Sequence, residues 1–216
     1  MKKRLRNITA GVMAGAISLL PMKNANAQLS GSMEAIKSFK PKQSYIRPCF
    51  FYDLPANIKG FTFLEFYQDG NSFFGRTKLT KEVVKGIGLR SDIIHGTGFP
   101  NNYGLGLNVD IPGKNVFTNF YLTPFLVDNK LKKVENKVLS GYFASIKLPF
   151  DMQLSSFGEW NLNGKNGVEW TYGELNLEKK LNKNLSVSYN PALKNKGAGK
   201  PIPRLEHRIT AKYTFK

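Results

Sequence analysis

Two histidines, a single cysteine and fifteen carboxylates are the side chains of this sequence with a conventional claim to catalysis or metal chemistry. His95 follows Ser91 and Asp92 closely, so a hydrolytic Ser-His-Asp set can be drawn, but no nucleophile motif surrounds it. His207 follows Glu206 directly. Neighbouring residues on an extended strand point to opposite faces, so these two do not make a dyad. Cys49 has no partner for an intramolecular disulfide, and one Cys with two His is a thin donor set for a metal. Gly86, Gly88, Gly104 and Gly106 lack the following helix that a phosphate loop needs. They fit strand positions where a missing side chain leaves room or marks close approach. The expectation is a chain with no catalytic residue, no metal and no cofactor.

The spacing that does carry information belongs to the charged residues. Glu206, Arg208 and Lys212 alternate with Leu205, His207, Ile209, Ala211, Tyr213 and Phe215. A strand turns successive side chains to opposite faces, so this segment has one charged and one apolar face. Tyr103 to Ile111 alternates against Gly104, Gly106, Asn108 and Asp110 in the same way, and Leu185 to Tyr189 against Ser186, Ser188 and Asn190. Ten strands are expected, beginning near Phe61, Phe73, Val83, Tyr103, Asn115, Leu139, Met152, Val168, Leu185 and Leu205. Most run about 8–12 residues, near the 9–11 that a tilted membrane strand needs and longer than strands of soluble proteins. In the eighth, Glu169 and Glu174 fall on opposite parities, which calls for a bulge, expected at Gly173, or for a different register of the strand.

The strand connections alternate. Short ones are expected at Lys81-Glu82, Pro112 to Lys114, Pro149 to Asp151 and Glu178 to Asn184. Longer polar ones fall at His95 to Asn102, Val127 to Lys137 and Pro191 to Arg204, with briefer ones at Gln68 to Ser72 and Asn163 to Gly167. Outer-membrane barrels have this rhythm of short periplasmic turns and long outer loops.

Upstream of the strands, residues 1–27 read as a secretory signal peptide. Lys2, Lys3, Arg4 and Arg6 precede the apolar run Ile8 to Leu20, and Ala25-Asn26-Ala27 offers the small residues of a cleavage site. That run is shorter than the roughly 20 residues of a membrane-spanning helix. No later stretch is apolar enough for such a helix, so a membrane-resident chain would have to be a closed barrel. Residues 28–60 alternate poorly and carry Pro41, Pro48 and Pro55. They are expected to form a periplasmic extension, a lumen plug or an eleventh strand paired to another chain, with an extra pair of strands, giving twelve in all, as the alternative. The division is thus 1–27 signal peptide, 28–60 plug or extension, and 61–216 barrel.

On the alternating last strand and its aromatic end, Tyr213-Thr214-Phe215, the chain resembles the bacterial outer-membrane β-barrel superfamily over residues 61–216. The resemblance implies an up-and-down antiparallel transmembrane barrel and a terminal aromatic residue read by the barrel assembly machinery. Lys216 after that aromatic, and Thr210 where a glycine is often found, depart from the pattern.

Five of the +17 formal charges lie within residues 1–27, which leaves +12. A protein this basic invites a nucleic-acid reading, but the distribution argues otherwise. By strand parity Arg76, Lys78, Arg90, Lys147, Arg208 and Lys212 point inward, against Glu65, Asp92, Asp110, Glu159 and Glu206, a nearly balanced lumen lattice. The surplus sits in two loops, as Lys130, Lys132, Lys133 and Lys137, and as Lys194, Lys196, Lys200 and Arg204. Such loops attract anions: lipopolysaccharide phosphates or an anionic solute. Trp160, Trp170, Tyr172, Tyr213 and Phe215 are expected in aromatic girdles at the membrane interfaces. Three functional readings stay open: a narrow porin-like channel or structural barrel, a soluble lipocalin-like ligand carrier, and an outer-membrane hydrolase.

Overall fold

The computed structural model describes residues 28–39, 42–97, 102–128, 137–164, 167–194 and 204–215. The expected signal peptide lies outside the described residues. All the strands are antiparallel and close into one barrel of twelve: β1 (Leu29–Phe39), β2 (Lys42–Leu54), β3 (Ile58–Tyr67), β4 (Phe73–Val84), β5 (Ile87–Gly96), β6 (Asn102–Pro112), β7 (Val116–Asp128), β8 (Lys137–Leu148), β9 (Met152–Gly164), β10 (Gly167–Lys180), β11 (Leu185–Lys194) and β12 (Arg204–Phe215). Each strand pairs with its sequence neighbours, and β1 pairs with β12 to close the ring, with Ala35 opposite Ala211.

Two expectations need correction. Residues 28–60 are neither plug nor extension, because β1 and β2 are wall strands, so the alternative of twelve is the one realised. Pro48 is accommodated on β2 with its ring on the outer face, opposite Met33 of β1. The second correction is the first short turn. β4 runs through Val84, and the reversal comes at Lys85-Gly86 rather than Lys81-Glu82. Gly86 takes the left-handed conformation (φ 80°) that a tight turn requires, and Glu82 accepts its N–H at 2.7 Å. The strands also reach further into the expected loops, since β11 ends only at Lys194 and β12 begins at Arg204.

Burial is inverted relative to a water-soluble domain. On β12 the charged Arg208 is 2% exposed while its neighbour Ile209 is 50% exposed. Asp92 of β5 is 0% exposed, whereas Leu105 of the adjacent β6 is 53% exposed. The same parity holds from strand to strand: Leu89, Leu107, Val109, Leu122, Leu175 and Val187 face outward and exposed, while Glu65, Arg76, Arg90, Asn108, Glu159 and Thr210 are buried inside. No helix among the described residues is long and apolar enough to cross a membrane, which says nothing against a barrel.

The bulge expected on β10 exists, two residues before the expected Gly173. The register with β9 slips between Trp170 and Tyr172, so Trp170 pairs with Trp160 on the outer face and Tyr172 with Glu159 on the inner one. One unpaired residue, Thr171, thereby lets Glu169 and Glu174 face the same lumen despite their opposite parities.

Candidate functional site

The lumen holds two charge networks on different parts of the wall. The first is built from β4, β5, β7 and β9. Asp92 accepts from Arg76 Nε at 2.8 Å, from Arg90 Nε at 2.6 Å and from Thr123 Oγ1 at 3.0 Å. The Arg90 guanidinium lies 3.5 Å from the centroid of the Tyr121 ring, a close cation–π stack. Arg76 then reaches across to Glu159, which also accepts the Tyr121 hydroxyl. β4 and β9 stand five strands apart in a ring of twelve, so the Arg76–Glu159 pair bridges the lumen rather than lining it. Glycine makes room for this layer. A Cβ on Gly106 would meet the Leu122 carbonyl oxygen at 1.9 Å, and one on Gly141 the Tyr121 ring at 2.4 Å.

The second network runs over β10, β11, β12, β1, β2 and β3. Arg47 donates to Glu65 through Nε (3.0 Å) and Nη2 (2.6 Å), and to Glu34 through Nη1 at 3.3 Å. Tyr67 donates to the other Glu65 oxygen at 2.6 Å. Arg208 donates to Glu206 at 2.8 Å and to the Tyr172 hydroxyl at 2.9 Å, and lies 3.6 Å from Glu174. Lys212 pairs with Glu178, and Lys194 with Glu206 at 3.4 Å. Between these pairs an amide and hydroxyl ladder fills β10 to β12, with Asn190 donating to Asn176 at 2.8 Å and accepting from Thr210 at 2.9 Å. Charge-assisted pairs of this kind offset the cost of burying each ion.

Of the sequence-predicted lattice, Glu65, Arg76, Arg90, Asp92, Glu159, Glu206, Arg208 and Lys212 therefore occupy ion pairs inside the barrel. Three behave differently. Asp110 accepts from the Asn108 and Asn119 amides at 3.1 and 2.6 Å instead of a cation. Lys147 is exposed near the short-turn end of β8, too close to the rim to join the lattice. Lys78 makes no ion pair among the described residues, and its ammonium lies 5.3–5.7 Å from the ring centroids of Phe157, Phe61 and Tyr121. Sequence parity missed Glu34 and Arg47, which fell in the presumed plug, and Glu174, Glu178 and Tyr172, which the bulge re-aims. The unmatched parity of Glu169 and Glu174 was the signal that could have recovered the last group.

Trp160 and Trp170 are outward, edge-to-face at 5.1 Å, with Tyr142 stacked on Trp160 at 5.7 Å. Trp170 covers Gly173 and Gly158, where a Cβ would meet its ring at 2.1 and 3.1 Å. Tyr213 and Phe215 are outward at the opposite end of the barrel, with Phe215 packed 6.5 Å from Phe50. Tyr172 is the exception and a correction: the slip at Thr171 turns it into the lumen. Lys130, Lys132, Lys133, Lys196 and Lys200 lie outside the described residues, and nothing is described of the Lys137 side chain. Lys194 and Arg204 are strand residues, not loop ones, because β11 and β12 pair as far as these two positions.

The catalytic alternatives lose their geometry. His95 points outward against Phe73 (5.9 Å), whereas Asp92 points inward, so strand parity separates the two. His207 is outward too, stacked on Tyr189 with its Nδ1 2.5 Å from that hydroxyl, while Glu206 faces Arg208 inside.

No protein-family model matches the sequence, and no curated protein matches it. Solved structures do match the fold. The KdgM porin superposes with a TM-score of 0.58 at 10% identity, covering 87% of this chain and 99% of that one. A second structure shows the KdgM porin in complex with disordered oligogalacturonate. The NanC porin superposes with a TM-score of 0.60 at 7% identity, covering 86% of this chain and 99% of that one. At such identities the likeness is one of fold, that of a closed β-barrel.

Proposed function

We propose that this chain is a small outer-membrane protein acting as a narrow, porin-like channel for small hydrophilic solutes, exported by a signal peptide over residues 1–27. The observation that carries this reading is the inverted burial, with Arg208 2% and Ile209 50% exposed on one strand. An outer wall of exposed Leu, Ile, Val and Phe around a charged interior is stable only where hydrocarbon surrounds it. The aromatic residues at the two ends, Trp160 with Trp170 and Tyr213 with Phe215, support interfacial belts. Eight-stranded barrels are filled by side chains and sixteen-stranded ones leave wide channels; twelve strands fall between. The Arg76–Glu159 bridge narrows the passage further. The basic segments between β7 and β8 (Lys130, Lys132, Lys133) and between β11 and β12 (Lys196, Lys200) would draw lipopolysaccharide phosphates or anionic solutes to the mouth. The KdgM complex with oligogalacturonate makes an anionic solute reasonable. Folding would pass through the barrel assembly machinery, and the protein would not be an enzyme.

Planar-bilayer recording tests the channel. Wild type should open in small steps, and the charge-neutral double variant Arg76→Ser, Glu159→Ser should conduct severalfold more. Absence of conductance in both proteins would reject the channel reading, and recovery of the protein in the soluble fraction would reject the membrane one.

A further inference from the structure

The lumen has an apolar side as well as a charged one. On β2, β3 and β4 four phenylalanines point inward in an unbroken chain: Phe51 to Phe61 at 4.8 Å between centroids, Phe61 to Phe63 at 5.8 Å, and Phe63 to Phe74 at 5.8 Å. Register sets them one above another. Phe61 lies opposite Lys78, Phe63 opposite Arg76, and Phe74 opposite Glu65, so successive rungs climb from the short-turn end toward the long-loop end. Phe51, at the bottom, is 49% exposed. Polar donors flank the rings: Arg47 lies 5.6 Å from the Phe63 centroid and the Lys78 ammonium 5.7 Å from that of Phe61. Further round the wall, β10 and β11 present the carboxamides of Asn176 and Asn190.

Phenylalanine is an odd filler for a polar lumen. The residues around these rings are charged; β7, β8 and β9 also turn Phe117, Phe143 and Phe157 inward, but only β2 to β4 join four rings into one continuous ladder. Meanwhile the lumen arginines are held in ion pairs: Arg47 by Glu34 and Glu65, Arg76 by Asp92 and Glu159, Arg208 by Glu206. Committed cations are poor contacts for a travelling polyanion, because each would have to give up a carboxylate. A pyranose has the opposite requirements: an apolar C–H face that stacks on an aromatic ring, and an edge of hydroxyls that needs amide and cationic partners. An aromatic wall with few placed polar groups is the general form of such a site.

We propose that the Phe51–Phe61–Phe63–Phe74 ladder is a binding track for pyranose oligosaccharides, recognised by ring stacking and not by charge. This rests on the channel reading for its use in transport, but binding to the ladder can be measured without conduction. The full barrel, refolded in a detergent without a sugar headgroup and checked by heat-modifiable gel migration, is titrated with maltohexaose by saturation-transfer NMR. Wild type should bind. Phe61→Leu with Phe63→Leu keeps apolar volume but removes two rings, and should weaken binding about five- to tenfold. Phe73→Leu, on the outer face against His95 (5.9 Å), should leave it unchanged. Absence of maltohexaose binding by the folded wild type, equal binding by the double variant, or binding confined to an oligogalacturonate probe would each overturn the track. If maltohexaose binds but bilayers show no current, the track stands and the channel reading falls.

Discussion

Asp92→Asn is the sharpest probe of how the lumen is held together. The side chain is 0% exposed and accepts four hydrogen bonds, from Arg76 Nε, Arg90 Nε, Arg90 Nη2 (3.1 Å) and Thr123 Oγ1. Asparagine keeps the shape but removes the charge and turns one acceptor into a donor facing donors. Arg76 retains Glu159, whereas Arg90 is left with the Tyr121 ring as its main electrostatic partner. Removing one partner of a buried ion pair costs about 3–5 kcal/mol, mostly through the uncompensated charge. With a denaturant slope of about 3 kcal/mol per molar, the urea midpoint of the refolded barrel should fall by roughly 1 to 1.7 M. Fluorescence of Trp160 and Trp170 reports the transition, since both sit on the outer wall against other rings. Adding Arg90→Met removes the stranded charge and should restore a large part of the loss, as coupled sites require. A midpoint shift below about 0.3 M for Asp92→Asn alone would mean that water screens the cluster, and the argument for a bridged, narrow lumen would go with it.

Two smaller predictions follow from backbone and loop geometry. Gly106→Ala places a methyl 1.9 Å from the Leu122 carbonyl oxygen, where the neighbouring strand cannot yield without breaking the β6–β7 ladder, and should cost about 1–3 kcal/mol in the same urea assay. In the loop between β3 and β4, Asp69 accepts from the Asn71 and Ser72 amides at 3.0 and 2.9 Å and from the Ser72 hydroxyl, which holds its carboxyl below the usual Asp range. A depressed folded-state pKa stabilises above the unfolded value and is lost as pH falls through the folded one. The loop's amide-exchange protection should therefore be complete at pH 5 and lost only below about pH 3.8, whereas Asp69→Asn should abolish that pH dependence.

Parity along single strands was legible because a strand's period of two makes the solvent of each face visible one residue at a time. That is why Glu206, Arg208 and Lys212 could be placed inside the barrel, and Leu205, Ile209 and Tyr213 outside, from β12 alone. The reading failed wherever local pattern and tertiary context disagree. Pro48 and the doubly apolar run Cys49 to Tyr52 disguise β2 as irregular chain, yet Cys49 and Phe51 face the lumen and Phe50 and Tyr52 the outside. At Thr171 a single unpaired residue inverts the parity of everything behind it, and this sent Tyr172 to the wrong face.

The mixed-charge lumen lattice and the apolar outer wall are properties of the sequence itself, since alternation assigns each side chain to one of two faces whatever the strand count. Which inward charges neutralise which is a property of closure alone. Arg76 and Glu159 are separated by 82 intervening residues and meet only because twelve strands bring β4 and β9 to facing parts of one ring. The phenylalanine ladder has the same origin: Phe51, Phe61 and Phe74 sit on three strands, and only their register stacks them. Local chemistry decided what each face is made of, and the long-range geometry of the barrel decided what those faces can do together.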